Sequence, residues 1–156
     1  VDQIYKATTN YCNCPGVFKT RCLNTNVLGL DLGQKKVGVA MGNMALRIAT
    51  PLEVLHYNSL KHLRVQLLSI IKQYEIRGMV VGAASQEISY VEAIQAFMEL
   101  LNLALPFCLE DETYTTKIAN QALTALGIKR KKRHQVDDKI AAQLILSSFF
   151  DRLDVF

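Results

Sequence analysis

Three carboxylates in this 156-residue chain stand where a folded core would hold them rigidly. Asp31 lies in Leu28-Gly-Leu-Asp-Leu-Gly33, Glu112 in Leu109-Glu-Asp-Glu-Thr-Tyr-Thr-Thr116, and Asp138 in Val136-Asp-Asp-Lys-Ile-Ala-Ala142. Brought to one end of a sheet, three such groups repel one another unless a divalent cation or a shared proton relieves them. Their oxygens are hard ligands, and with no His or Cys in these motifs they select Mg²⁺ or Mn²⁺ over zinc. Each stretch also has a plainer reading. An Asp at a strand end can satisfy turn amides, and Asp111 and Asp137 can each cap a following helix. Asp138 shares a helical face with Ala141, Ala142 and Ile145, which makes it the ligand and Asp137 the cap. Asp111 is the weaker ligand beside Glu112.

The elements that must position these acids follow from periodicity. Val27–Leu32 and Lys36–Met41 are short apolar runs separated by Gly33-Gln-Lys-Lys36, which predicts two antiparallel strands, with a third at Arg47–Val54. Gly33 has a backbone role in that turn and leaves room for a phosphate beside Asp31. From Ser59, Leu60, Leu63, Leu67, Ile70 and Tyr74 recur at helical spacing. A strand at Gly78–Gly82, a helix at Ile88–Leu103, a strand at Pro106–Glu110 and a helix at Thr115–Leu126, stopped by Gly127, come next. The last helix is expected to begin near Asp137. Three strands followed by alternating helices and strands describe an α/β domain, a mixed sheet covered by helices whose later strands lie parallel.

The length allows one domain, placed at residues 27–156, with residues 1–26 an irregular extension. No apolar run approaches a membrane span and the N-terminal stretch lacks a signal-peptide core, so a soluble cytoplasmic protein is expected. The formal charge is +4, and Lys129-Arg-Lys-Lys-Arg133 alone carries five cations, leaving the remainder near neutral. By itself such a run reads equally well as a solvated loop. Beside an acidic site, Lys129, Arg130, Lys131, Lys132 and Arg133, with Lys35 and Lys36, read as phosphate contacts that position a nucleic acid without reading its bases. Cys12, Cys14 and Cys22 lack the spacing and fourth ligand of a zinc site; reduced thiols are the simpler account.

Taken in order, Gly29-Leu-Asp-Leu-Gly-Gln-Lys-Lys-Val-Gly-Val-Ala40, Ala49-Thr-Pro-Leu52, Met79-Val-Val-Gly82, Asp111-Glu-Thr-Tyr-Thr-Thr116 and Asp138-Lys-Ile-Ala-Ala-Gln-Leu-Ile-Leu146 resemble the YqgF/RuvX family. These are Holliday-junction-resolvase-like proteins and pre-16S rRNA nucleases. The resemblance implies an RNase H-like five-stranded mixed sheet flanked by helices, Glu112 at the catalytic glutamate position, and Asp31, Glu112 and Asp138 as catalytic metal ligands. It also implies hydrolysis of phosphodiesters in structured RNA or branched DNA, in ribosome biogenesis above all. Three departures stand out: Thr113 where the family commonly has Arg, Gly82-Ala-Ala-Ser-Gln-Glu87 where it has a Pro-containing loop, and Asn43 where an acid is frequent. They favour, as the alternative, a family member that binds nucleic acid without cutting it.

Overall fold

The computed structural model describes residues 10–111 and 130–153, and of residues 130–137 and 139 the backbone alone. Five strands form one sheet: β1 (Asn26–Leu32), β2 (Lys36–Asn43), β3 (Ala49–His56), β4 (Ile76–Ala83) and β5 (Phe107–Asp111). Their order is β3-β2-β1-β4-β5, antiparallel across β3, β2 and β1 and parallel across β1, β4 and β5. The parallel pairs follow from the crossover helices α2 (Leu60–Gln73) and α3 (Ile88–Leu101), since a parallel partner needs a long return path. Ser59 caps α2, its side chain accepting from the His62 N–H, and α3 stops at Asn102 in the left-handed region.

Alternation along β1 divides the core. Leu28 and Leu30 join Val37, Val39, Met79 and Val81 under α2 and α3. Val27, with Val80 and Cys108, packs on the opposite face against Ile145, Leu146, Phe149 and Phe150 of the last helix, α4 (Arg130–Arg152). Asp31 and Gly29 share the parity of Val27, so they belong to the α4 face.

Two expectations are corrected here. The stretch read as an irregular extension contains α1 (Pro15–Arg21), whose Phe18 is fully buried and meets Phe149 edge-on at 5.4 Å. Pro15 opens that helix, where its missing N–H costs nothing. The last helix begins at Arg130 rather than near Asp137, so Arg130–Arg133 are helical and Asp137 lies two turns inside, away from any cap position. The physical reason is propensity: Lys, Arg and Gln are good helix formers, and no Gly or Pro interrupts 130–152. The helix expected at Thr115–Leu126 lies outside the described residues. No helix among the described residues is long and apolar enough to cross a membrane.

Candidate active site

The site is built from a close crossing of α4 over the β1–β2 ladder. Asp31 pairs with Gly38 in register. A Cβ on Gly38 would stand 2.1 Å from the Asp138 carbonyl oxygen, and one on Gly29 2.7 Å from that of Ala142. Two glycines on one sheet face therefore let the helix backbone rest directly on the strands. Side chains opposite each other on an antiparallel pair lie about 5 Å apart at Cβ, so Asp31 and the Asp138 turn of α4 are neighbours on the same face.

Asp138 meets a cation there already. Lys36 Nζ lies 2.8 Å from Asp138 Oδ2, with both side chains partly exposed. That oxygen is itself buried and has no aligned hydrogen-bond donor, so the pair is held by charge alone. With the Lys36 side chain 34% exposed, water still screens the pair, which contributes only about 0–1 kcal/mol. Its consequence is electrostatic: Lys36, expected among the phosphate contacts, lies against a carboxylate of the expected metal site.

The remaining predicted residues are distributed unevenly. Gly33 is required by the hairpin itself, because a Cβ would come within 2.7 Å of the Lys36 carbonyl oxygen. Lys35 is exposed at the turn. Asp111 ends β5 exposed, and by alternation from Cys108 and Glu110 it points to the face opposite Asp31. Glu112, Thr113 and Lys129 lie outside the described residues, as do the side chains of Arg130, Lys131, Lys132 and Arg133. Asn43 is paired with Asn26 at the far end of the ladder from Asp31, donating to Asn26 Oδ1 and accepting the Ala45 and Leu46 N–H groups. An acid there would lose the donor, so this departure concerns a turn and not the chemistry.

Asp31 and Asp138 together suit a hard divalent cation: both offer carboxylate oxygens, and the Asp138 Oδ2 atom already faces a positive charge without a hydrogen bond. Among the described residues no three His, Cys, Asp or Glu side chains converge on such an ion. Cys12, Cys22 and Cys108 are buried free thiols and Cys14 an exposed one. Burial pushes Cys22 up to about 11 and Cys108 well above the ordinary thiol value. As thiols held in their neutral form, they are poor nucleophiles and poor ligands.

Sequence reading missed two features. Tyr57, seventeen residues beyond Ala40, clasps the β1–β2 turn, its N–H donating to the Lys35 carbonyl at 3.0 Å and its hydroxyl to the Gly33 carbonyl at 2.6 Å. Glu110, opposite Gly82 on the α4 face, is 1% exposed and accepts from Arg152 near the C-terminal end of α4. Burial raises the Glu110 carboxyl above its ordinary range, with Arg152 opposing in part. The folded protein therefore holds this proton to higher pH than the unfolded chain, and stability falls as pH rises from the ordinary carboxylate value, about 4.3, through the raised one. Glu110→Gln keeps an acceptor for Arg152 and should remove that decline. Melting temperatures of both proteins, compared from about pH 4 to 7, check this; parallel curves would refute it.

Comparison with known proteins agrees with this architecture. A family model described as "RuvX: Holliday junction resolvase" matches residues 25–152. Proteins named "Putative pre-16S rRNA nuclease" from Rickettsia africae (strain ESF-5) and Rickettsia akari (strain Hartford) are each 35% identical to this chain. The first match covers 83% of this chain and 88% of the relative, the second 84% and 89%. Among solved structures, T. thermophilus RuvC in complex with Holliday junction substrate superposes with a TM-score of 0.50 at 16% identity, over 81% of this chain and 94% of that one, a likeness of fold. With the model spanning the sheet and α4, and relatives above 30% identity over most of both chains, this chain belongs to the RuvX family.

Proposed function

We propose that the protein is a divalent-metal-dependent nuclease that hydrolyses phosphodiesters in structured nucleic acid, with precursor 16S rRNA as its substrate. The observation that supports this reading is the glycine-permitted contact of α4 with β1 and β2, which lays the Asp138 turn of the helix over Gly38, the register partner of Asp31. The names of the relatives support the substrate class.

Asp31 and Asp138 would hold Mg²⁺ or Mn²⁺, with Glu112 as the third ligand. When bound, such a cation supplies charge stabilisation at the phosphoryl oxygens and activates water for in-line attack. Asp31 pairs with Gly38 of β2, so its backbone is positioned before substrate arrives. Lys36 holds Asp138 in place by charge. Lys35, Lys129 and the cations of Arg130–Arg133 neutralise substrate phosphates and give binding its salt dependence. Arg130–Arg133 belong to the same helix that carries Asp138. Four free cysteines suit a reducing compartment, and the cytoplasm is the proposed location.

The test is cleavage by the purified protein with Mg²⁺, with Mn²⁺ and with chelator, on precursor 16S rRNA and on a four-way DNA junction. Metal-dependent cutting of the precursor at discrete positions is expected. Cutting of the junction alone would transfer the reading to branched DNA, and binding without cutting of either would make the protein a nucleic-acid binder.

A further inference from the structure

On the sheet face away from α4, the β1–β2 turn and α3 enclose an open cavity of about 530 Å³ lined by Leu32, Gly33, Gln34, Tyr57, Tyr90 and Phe97. Tyr57 and Phe97 also pack against the core, whereas Tyr90 is 39% exposed and neighbouring Ile88 76% exposed, more apolar surface than packing alone leaves in a cleft. Tyr57 is immobilised by its two bonds to the turn, so one wall is rigid before anything binds. The position is informative. Gly33 lies two residues past Asp31, a reach of about 7 Å in extended chain, and exposed Lys35 caps the same turn with positive charge.

We infer that this cleft takes one unpaired nucleobase, from a strand that passes over the β1–β2 turn from the phosphodiester held at Asp31 on the other face, stacked on Tyr90 and Tyr57 while Lys35 meets its phosphate. The inference rests on the nuclease reading above and adds substrate form: a strand locally single-stranded beside the cut. Aromatic faces accept any base, and recognition of unpaired RNA relies on such stacking. A base locked in a duplex cannot enter, so the cleft would favour loops and unpaired flanks. The combination of exposed aromatic surface with Lys35 on the adjoining turn suits a nucleotide better than an apolar protein segment, which has no use for a cation.

The test uses single-stranded RNA carrying 2-aminopurine at successive positions, a matching duplex, and the full chain as Asp31→Asn alone and combined with Tyr90→Ala or Tyr90→Phe. Stacking should quench fluorescence at one or two adjacent positions of the single strand. Tyr90→Ala should abolish the quench and weaken single-strand binding about tenfold, with duplex binding and melting temperature unchanged, and Tyr90→Phe should restore both. Unchanged quench and affinity in Tyr90→Ala would overturn the inference, as would a loss of dimer mass in sedimentation caused by that substitution, which would make the cleft a contact between copies. Quenching by the Asp31→Asn chain together with no cleavage by the wild-type chain leaves the cleft standing and defeats the nuclease reading. Cleavage of unpaired flanks by the wild-type chain that Tyr90→Ala alone, with Asp31 intact, leaves unchanged does the reverse.

Discussion

Asp31→Asn should reduce metal-dependent cleavage by at least about a hundredfold, the scale on which removing a single preorganised electrostatic partner of a transition state is felt. The substitution keeps size and polarity and discards charge. Asp31 lies at the end of a strand paired with β2, opposite Gly38, so the amide of Asn fits the same space without a clash across the ladder. Without a cation, Asp31 and Asp138 are like charges on one face, with Lys36 at 2.8 Å offsetting the second. Removing one of the two relieves repulsion, so the variant should melt no lower than wild type. Nucleic-acid binding through Lys35 and the α4 cations should persist. Cleavage rates, a thermal melt and binding anisotropy on one preparation separate these effects. Equal cleavage by wild type and variant would mean that the chemistry lies elsewhere.

Most of the fold was legible in the sequence because it is written in two periods. Alternating β1 and β2 and the 3.6-residue spacing of Leu60–Tyr74 gave α/β class, strand count and the mixed sheet, with boundaries shifted by one or two residues. The failures share a cause: composition was read where packing decides. A Thr/Asn-rich N-terminal stretch looks irregular, yet Phe18 and Cys22 enter the α4-side core and fold it into a helix. A run of cations looks like a loop, yet Arg130–Arg133 favour helix and continue α4 without a break. At the site, the inward face of Asp138 was readable from Ala141, Ala142 and Ile145, whereas the close contact that Gly29 and Gly38 allow α4 was not. The Lys36–Asp138 pair, Glu110 and Tyr57 were not readable. Each depends on which strand faces which helix turn, a relation that no local pattern carries.

Gly38→Ala should be destabilising, against the usual direction for that change in a strand. Glycine inside a strand or helix ordinarily costs roughly 0.5–1 kcal/mol relative to alanine through backbone entropy, so the substitution would stabilise an open position. At Gly38 the added carbon would stand 2.1 Å from the Asp138 carbonyl oxygen and 2.8 Å from its carbon. Both belong to backbone, so no side-chain rotation relieves the contact and α4 must move. Overpacking of this kind costs about 1–3 kcal/mol or more, enough to outweigh the entropic gain, and at roughly 2–4 °C per kcal/mol for a chain this long the melting point should fall by several degrees. Gly16→Ala provides the opposite sign from the same chemistry, because nothing lies within 4 Å of a Cβ there and the residue is in α1. Cleavage should follow α4: lifting Asp138 from β2 separates it from Asp31, so Gly38→Ala should lose activity at temperatures where circular dichroism shows it folded. A Gly38→Ala protein that melts and cleaves like wild type would show that the crossing is looser than the glycine contacts require, and would remove the physical basis for placing the two acids side by side.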